Sequence, residues 1–119
     1  MVLGKLIKPS TFTNVNSIDY EKQKQVKMLL WSVFAGSRGC INRVKIVSRL
    51  QNGSCNTNQL SEELGLDYKV VQRHINILVK NNLLHTIGDK YGMSYFLSPK
   101  LESNMHVFNE MVEKSNNCK

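Results

Sequence analysis

The sequence predicts a mostly α-helical fold carrying one small β-hairpin, an α+β chain of a single domain. Three observations predict it. Apolar residues recur at helical spacing along most of the chain, and the stretch from Asn56 to Asn81 divides into two helices around one glycine. Two apolar runs, from Leu83 to Ile87 and from Met93 to Leu97, then flank a glycine-bounded turn. At 119 residues the chain suits one core and not two.

Residues 1–18 carry apolar side chains without clear periodicity, then a Pro-Ser-Thr-Asn stretch, and read as an arm that is partly disordered or packs on a neighbour. From 19 to 36 the pattern is helical. Val26, Leu29, Leu30, Val33 and Phe34 form an i, i+3, i+4, i+7, i+8 stripe, and Ala35-Gly36 marks its end. Met28 and Trp31 fall off that stripe. A helix apolar on more than one side is covered twice, once by its own core, and a partner subunit is the simplest second cover.

A loop from Gly36 to Gly39 leads to a helix from about Ile41 to Leu50. Ile41, Val44, Ile46, Val47 and Leu50 are expected to face inward, with Arg43, Lys45 and Arg49 facing elsewhere. This helix contains no acid, so it fits beside a phosphate backbone, although a solvated face serves equally well for any one of its cations. Gln51 to Ser54 reads as a turn, with Ser54-Cys55 pairing briefly as a strand.

Asn56 is a good N-cap, and Gln59 three residues later completes a capping box for a helix from about Thr57 to Leu64. Gly65 stands where a left-handed residue ends that helix, and Asp67 caps the next, with Leu66 placed to staple onto Val71. Helix, short turn with glycine, helix is the helix-turn-helix signature. In the second helix, 68–80, Val70, Val71, Ile75, Ile77 and Leu78 would face a core. Tyr68, Lys69, Gln72, Arg73, Asn76 and Lys80 occupy the other side, with no carboxylate after the cap. Reading a major groove needs donors and amides that reach base edges, with cations for phosphates at the margins. Gln72, Arg73 and Asn76 suit bases; Lys69 and Lys80 suit phosphates. A solvated polar face is the bland alternative, and the flanking segments tip the balance against it.

A hairpin over 83–97, directly after such a helix, is a wing whose tip, Lys90 and Tyr91, reaches a phosphate or the minor groove. Residues 39–98 thus form the nucleic-acid-binding unit. Pro99 opens a last helix over 99–115. Leu101, Met105, Phe108 and Val112, with Met111 beside them, make a narrow seam of the kind that pairs with another helix. The expected dimer interface is therefore Met28, Trp31, Leu101, Met105, Phe108, Met111 and Val112. Glu102, Glu110 and Glu113 gather on this last helix, so the net charge of +7 belongs to the middle of the chain and favours a polyanionic partner.

Other classes find little support. No apolar run is long enough to span a bilayer, the longest candidate, Met28 to Ala35, being interrupted by Ser32, and no cleavable leader is evident. Cys40, Cys55 and Cys118 are odd in number and widely spaced, neither a disulfide framework nor a zinc pattern, which points to a reducing cytoplasm. No paired carboxylates, nucleophile-base arrangement or phosphate loop appears, so neither an enzyme nor a cofactor is expected.

The stretch from Gly39 to Leu101 resembles the ArsR-type winged-helix regulators, in particular the small archaeal winged helix-turn-helix proteins of that group. The resemblance rests on Arg43 within NRVKIV, on NTNQLSEELGL from Asn56, on DYKVVQRHINIL from Asp67, on Asn82-Leu83-Leu84 and on the GDKYGMSYFLSP wing. It implies a homodimeric DNA-binding regulator whose terminal helices form the dimer interface. Residues corresponding to Lys69, Gln72, Arg73 and Asn76 would face DNA, and the wing would contact backbone or minor groove. The sequence departs from the metal-sensing members, which place paired cysteines near the recognition helix or several His and acidic ligands on the last one. Here Cys55 stands alone, and His106 with Glu110 on one helix face is better read as solvated surface, so no metal is expected. His74 lies where the family often has histidine, and packing or a hydrogen bond is its expected role.

The function expected is sequence-specific binding of double-stranded DNA by a homodimer that regulates transcription. Two alternatives stand beside it. A protein-interaction module would need an acidic or apolar recognition face, which this is not. A thiol redox sensor would need a thiol in a positive, accessible setting, and only Cys40, between Arg38 and Arg43, approaches that. A small-molecule effector is compatible with the chain, but no residue selects one.

Overall fold

A computed structural model describes residues 20–36, 39–89 and 92–117 of the chain. The expected N-terminal arm, the wing-tip residues Lys90 and Tyr91, and Cys118 lie outside the described residues. Helix α1 covers 20–34 and buries Leu30, Val33 and Phe34, with Val26 and Leu29 at the core margin. Met28 and Trp31 point away from this stripe and stay 62% and 37% exposed.

Helix α2 (Cys40–Leu50) differs from the sequence expectation at two positions. Its buried stripe is Arg43, Ile46, Val47 and Leu50, while Ile41 is exposed. The cause lies in the neighbouring helix end. The last carbonyls of α1 have no partner within the helix, and Arg43 Nε donates to the carbonyl of Val33 at 2.8 Å. A buried cation thus closes the C-terminus of α1, where the negative end of the helix dipole favours it. Gly39, at φ 83°, lets the chain enter α2 beside His74; a Cβ there would stand 2.7 Å from His74 Cε1.

Helix α3 (Thr57–Leu64) starts with the full capping box. Asn56 Oδ1 accepts from the Gln59 amide at 2.7 Å, and Gln59 Oε1 accepts from the Asn56 amide at 2.9 Å. It ends at Gly65 with φ 67°, a conformation that costs other residues about 1–2 kcal/mol. Arg49 of α2 donates to both carboxylate oxygens of Glu63, at 2.6 and 3.3 Å, which ties α2 to α3. Asp67 caps helix α4 (Tyr68–Lys80) by accepting from the Lys69 amide at 3.0 Å. Val71, His74, Ile75 and Leu78 of α4 are buried, and Val70 and Ile77 are half-buried. Asn82, at φ 60°, turns the chain out of α4, a conformation that asparagine tolerates.

Strands β1 (Leu84–Ile87) and β2 (Ser94–Leu97) pair antiparallel, Leu84 opposite Leu97 and Ile87 opposite Ser94. The expected brief strand at Cys55 is present as a bridge to Tyr95, with backbone hydrogen bonds of 3.2 and 2.8 Å. That bridge fastens the hairpin to the start of α3.

The last helix is two pieces, not one. Ser98 caps a short α5 (Pro99–Glu102) by accepting from the Leu101 amide, and α6 (Met105–Asn117) follows. Between them Ser103 Oγ donates to the carbonyl of Pro99 and Asn104 Nδ2 to that of Lys100, each at 2.8 Å. The Asn104 side chain thus takes the carbonyl its own amide would use in a continuing helix, and that amide turns to Leu101 instead, at 2.9 Å, which interrupts the ladder. Helix α6 then packs on α1, with the rings of Phe34 and Phe108 edge to face at 5.0 Å. Leu101, Phe108 and Met111 are consequently buried in the chain's own core, which corrects their expected place at a partner surface. Met105 and Val112 are half-buried.

Candidate nucleic-acid interface

The outer side of α4 carries the side chains that its periodicity predicts. Tyr68, Lys69, Arg73, Asn76 and Lys80 are exposed, and Gln72 is half-buried. Apart from the cap Asp67, no acid belongs to this helix, so every charge on its outer face is positive. The hairpin lies alongside. One cleft, of about 430 Å³, is lined by Asn56, Thr57, Tyr68, Gln72, Met93 and Tyr95 among others. A second, of about 260 Å³, is lined by Asn76, Lys80, Thr86, Met93 and Tyr95 together with Val79. Met93 and Tyr95 therefore form the seam between wing and helix, with the Tyr95 hydroxyl donating to Met93 Sδ at 3.4 Å. Tyr68, Gln72, Asn76 and Lys80 are brought together along that seam, while Lys69 and Arg73 stand on the open side.

The two amides on this surface are not free rotors. Thr57 Oγ1 donates to Gln72 Oε1 at 2.7 Å, and Gln72 Nε2 donates to Asn76 Oδ1 at 3.0 Å. Sequence spacing gave no hint of Thr57, which comes from a different helix and lies 15 positions upstream of Gln72. Beneath the surface, Arg43 Nη1 reaches His74 Nδ1 at 3.1 Å. Burial, with the Arg43 and Arg73 cations nearby, holds the His74 imidazole below its ordinary value of 6.5.

The expectation of a broadly cationic α2 shrinks. Arg43 is turned inward and Arg49 is engaged by Glu63, which leaves Lys45 exposed. Cys55 is buried and its thiol is pushed up by that burial, which disfavours the thiolate that redox chemistry needs. Cys40 is half-buried. Among the described residues no three of His, Cys, Asp and Glu gather as a ligand set, and no helix is long and apolar enough to cross a membrane.

The family model described as the bacterial regulatory proteins of the arsR family matches residues 41–86, from the start of α2 to the first strand of the wing. Residues 41–86 are thus similar to the helix-turn-helix segment of that family. The fold around the ArsR-type segment is that of solved winged-helix regulators. Reduced HlyU from Vibrio cholerae is 20% identical with a TM-score of 0.60, over 78% of this chain and 95% of its own. The transcriptional repressor BigR from Xylella fastidiosa is 14% identical with a TM-score of 0.62, over 82% and 95%. BpsR from Bordetella bronchiseptica, whose DNA binding is regulated by 6-hydroxynicotinic acid, is 14% identical with a TM-score of 0.61, over 87% and 78%. At these identities the likeness is one of fold. Among curated protein sequences none is significantly similar to the chain.

Proposed function

We propose that the chain is a transcriptional regulator that binds double-stranded DNA sequence-specifically as a homodimer. The observation that carries the proposal is the exposed, acid-free outer face of α4 with the wing against its side. Helix α4 enters the major groove. Arg73, Gln72 and Asn76 meet base edges, and Tyr68, Lys69 and Lys80 meet the backbone. The wing, with Lys90 and Tyr91 expected at its tip from the sequence, meets backbone or minor groove. The ArsR-type segment supports this reading, and the absence of an acidic or apolar recognition face speaks against an assembly module.

Division of labour along the surface gives the test. Arg73→Ala relaxes base preference at one position and costs roughly 1–3 kcal/mol there, whereas Lys90→Ala weakens binding to every sequence alike. Affinities of both variants for a panel of single-base operator variants measure the difference. Equal loss of preference in the two variants rejects the assignment, and failure of the parent chain to distinguish any sequence rejects the function.

A further inference from the structure

Both amides on the recognition surface have their oxygens turned to a partner within the protein. Thr57 stands at the head of the relay, first residue of α3 and only 5% exposed. Its proton goes to Gln72 Oε1 at 2.7 Å, which turns the Gln72 amide nitrogen toward Asn76. That nitrogen donates to Asn76 Oδ1 at 3.0 Å, so the Asn76 amide nitrogen is the outward end of the chain of bonds. Lys69 and Arg73 beside them can only donate. The result is a row of donors.

Base edges divide on this point. An asparagine or glutamine reads adenine by giving an N–H to N7 while its oxygen accepts from the N6 amino group. Here each oxygen is aimed at a donor inside the protein and has one of its two acceptor positions filled, so neither is placed to accept squarely from N6. Guanine is the base that offers two acceptors, N7 and O6, in the major groove. We infer that the Gln72–Asn76 step reads guanine in preference to adenine, and that Thr57, which touches no base, is the positioning residue that sets this choice. The inference rests on α4 being the recognition helix proposed above. Without the Thr57 hydroxyl, the Gln72 amide is free to turn over. Asn76 then follows, and an oxygen faces the groove as adenine requires.

Selection from a randomised duplex pool by the full chain tests the idea, with Asn76→Ala, Thr57→Val and Thr57→Ser run in parallel. The base pair concerned is the one at which Asn76→Ala erases preference. The parent chain and Thr57→Ser enrich guanine over adenine there by about tenfold. Thr57→Val, which keeps the shape and loses the hydroxyl, brings that ratio to one or inverts it, while the salt dependence of binding stays unchanged because phosphate contacts are untouched. A merely structural role would lower thermal stability without moving the base ratio. Adenine preferred by the parent chain overturns the inference with no variant needed, and so does a Thr57→Val ratio equal to the parent's. A parent chain that binds the pool and enriches no sequence removes the regulator reading itself, a separate and recognisable failure.

Discussion

Arg43 Nη1 faces His74 Nδ1 at 3.1 Å, and a guanidinium can only donate. Nδ1 is therefore the acceptor, and the single proton of the neutral ring is on Nε2. Protonating the ring would set two donors against each other in a buried place, in keeping with the lowered His74 value. The sign of the pH effect follows. Above the ordinary value of 6.5 the ring is neutral in both folded and unfolded chains and contributes no pH dependence. As pH falls below it, the unfolded chain takes a proton that the folded chain refuses, so stability declines, by at most about 1.4 kcal/mol per pH unit. His74→Gln keeps an acceptor for Arg43 and removes this part of the decline. Urea unfolding across pH 5–8, a range of roughly 1.5 units either side of the histidine value, measures it; superimposable profiles below pH ~6.5 would show that the ring is not held neutral. From sequence, Arg43 passes for a surface cation, because its acceptor is an orphan carbonyl of another helix, a partner no local pattern announces.

Elements defined by their own ends were legible. Asn56, Gln59, Gly65 and Asp67 each act within four residues of themselves, and the bounds of α3 and α4 follow from them. Removing the cap in Asn56→Ala leaves a first-turn amide without its acceptor and costs about 1 kcal/mol, read as a lower unfolding midpoint at unchanged denaturant sensitivity. A loss below ~0.3 kcal/mol would mean that the cap does not hold α3. Elements whose phase depends on packing were less legible. The apolar residues of α2 suggest Ile41 as core, yet Arg43 takes the inward phase. The seam of the last helix reads as continuous, yet the Asn104 side chain takes the carbonyl of Lys100 and the helix is divided there. On the outer face of α4, the placing of its six polar residues was readable from periodicity, while Thr57 and the Met93–Tyr95 seam needed the third dimension.

At the scale of the whole molecule, α1 and α6 have two duties that the sequence merges. One side of the pair closes the core through Leu30, Phe34, Phe108 and Met111. On the other, Met28 and Trp31 remain outside, with Lys114 Nζ 5.9 Å from the Trp31 ring centroid. The proposed homodimer would set a second copy over this side, where the apolar surface is exposed. Sedimentation equilibrium is expected to give twice the chain mass, and Trp31→Glu with Met28→Lys to return it to one chain at micromolar concentration; a parent chain that sediments singly would leave α4 without its twin. In the proposed homodimer, two such helices related by a two-fold axis are expected to enter successive major grooves about 34 Å apart. Hydroxyl-radical footprinting of the parent chain on its best selected duplex tests this most directly. The account predicts two protected patches one helical turn apart, symmetric about a pseudo-palindrome, and a single patch or uniform cleavage would contradict it.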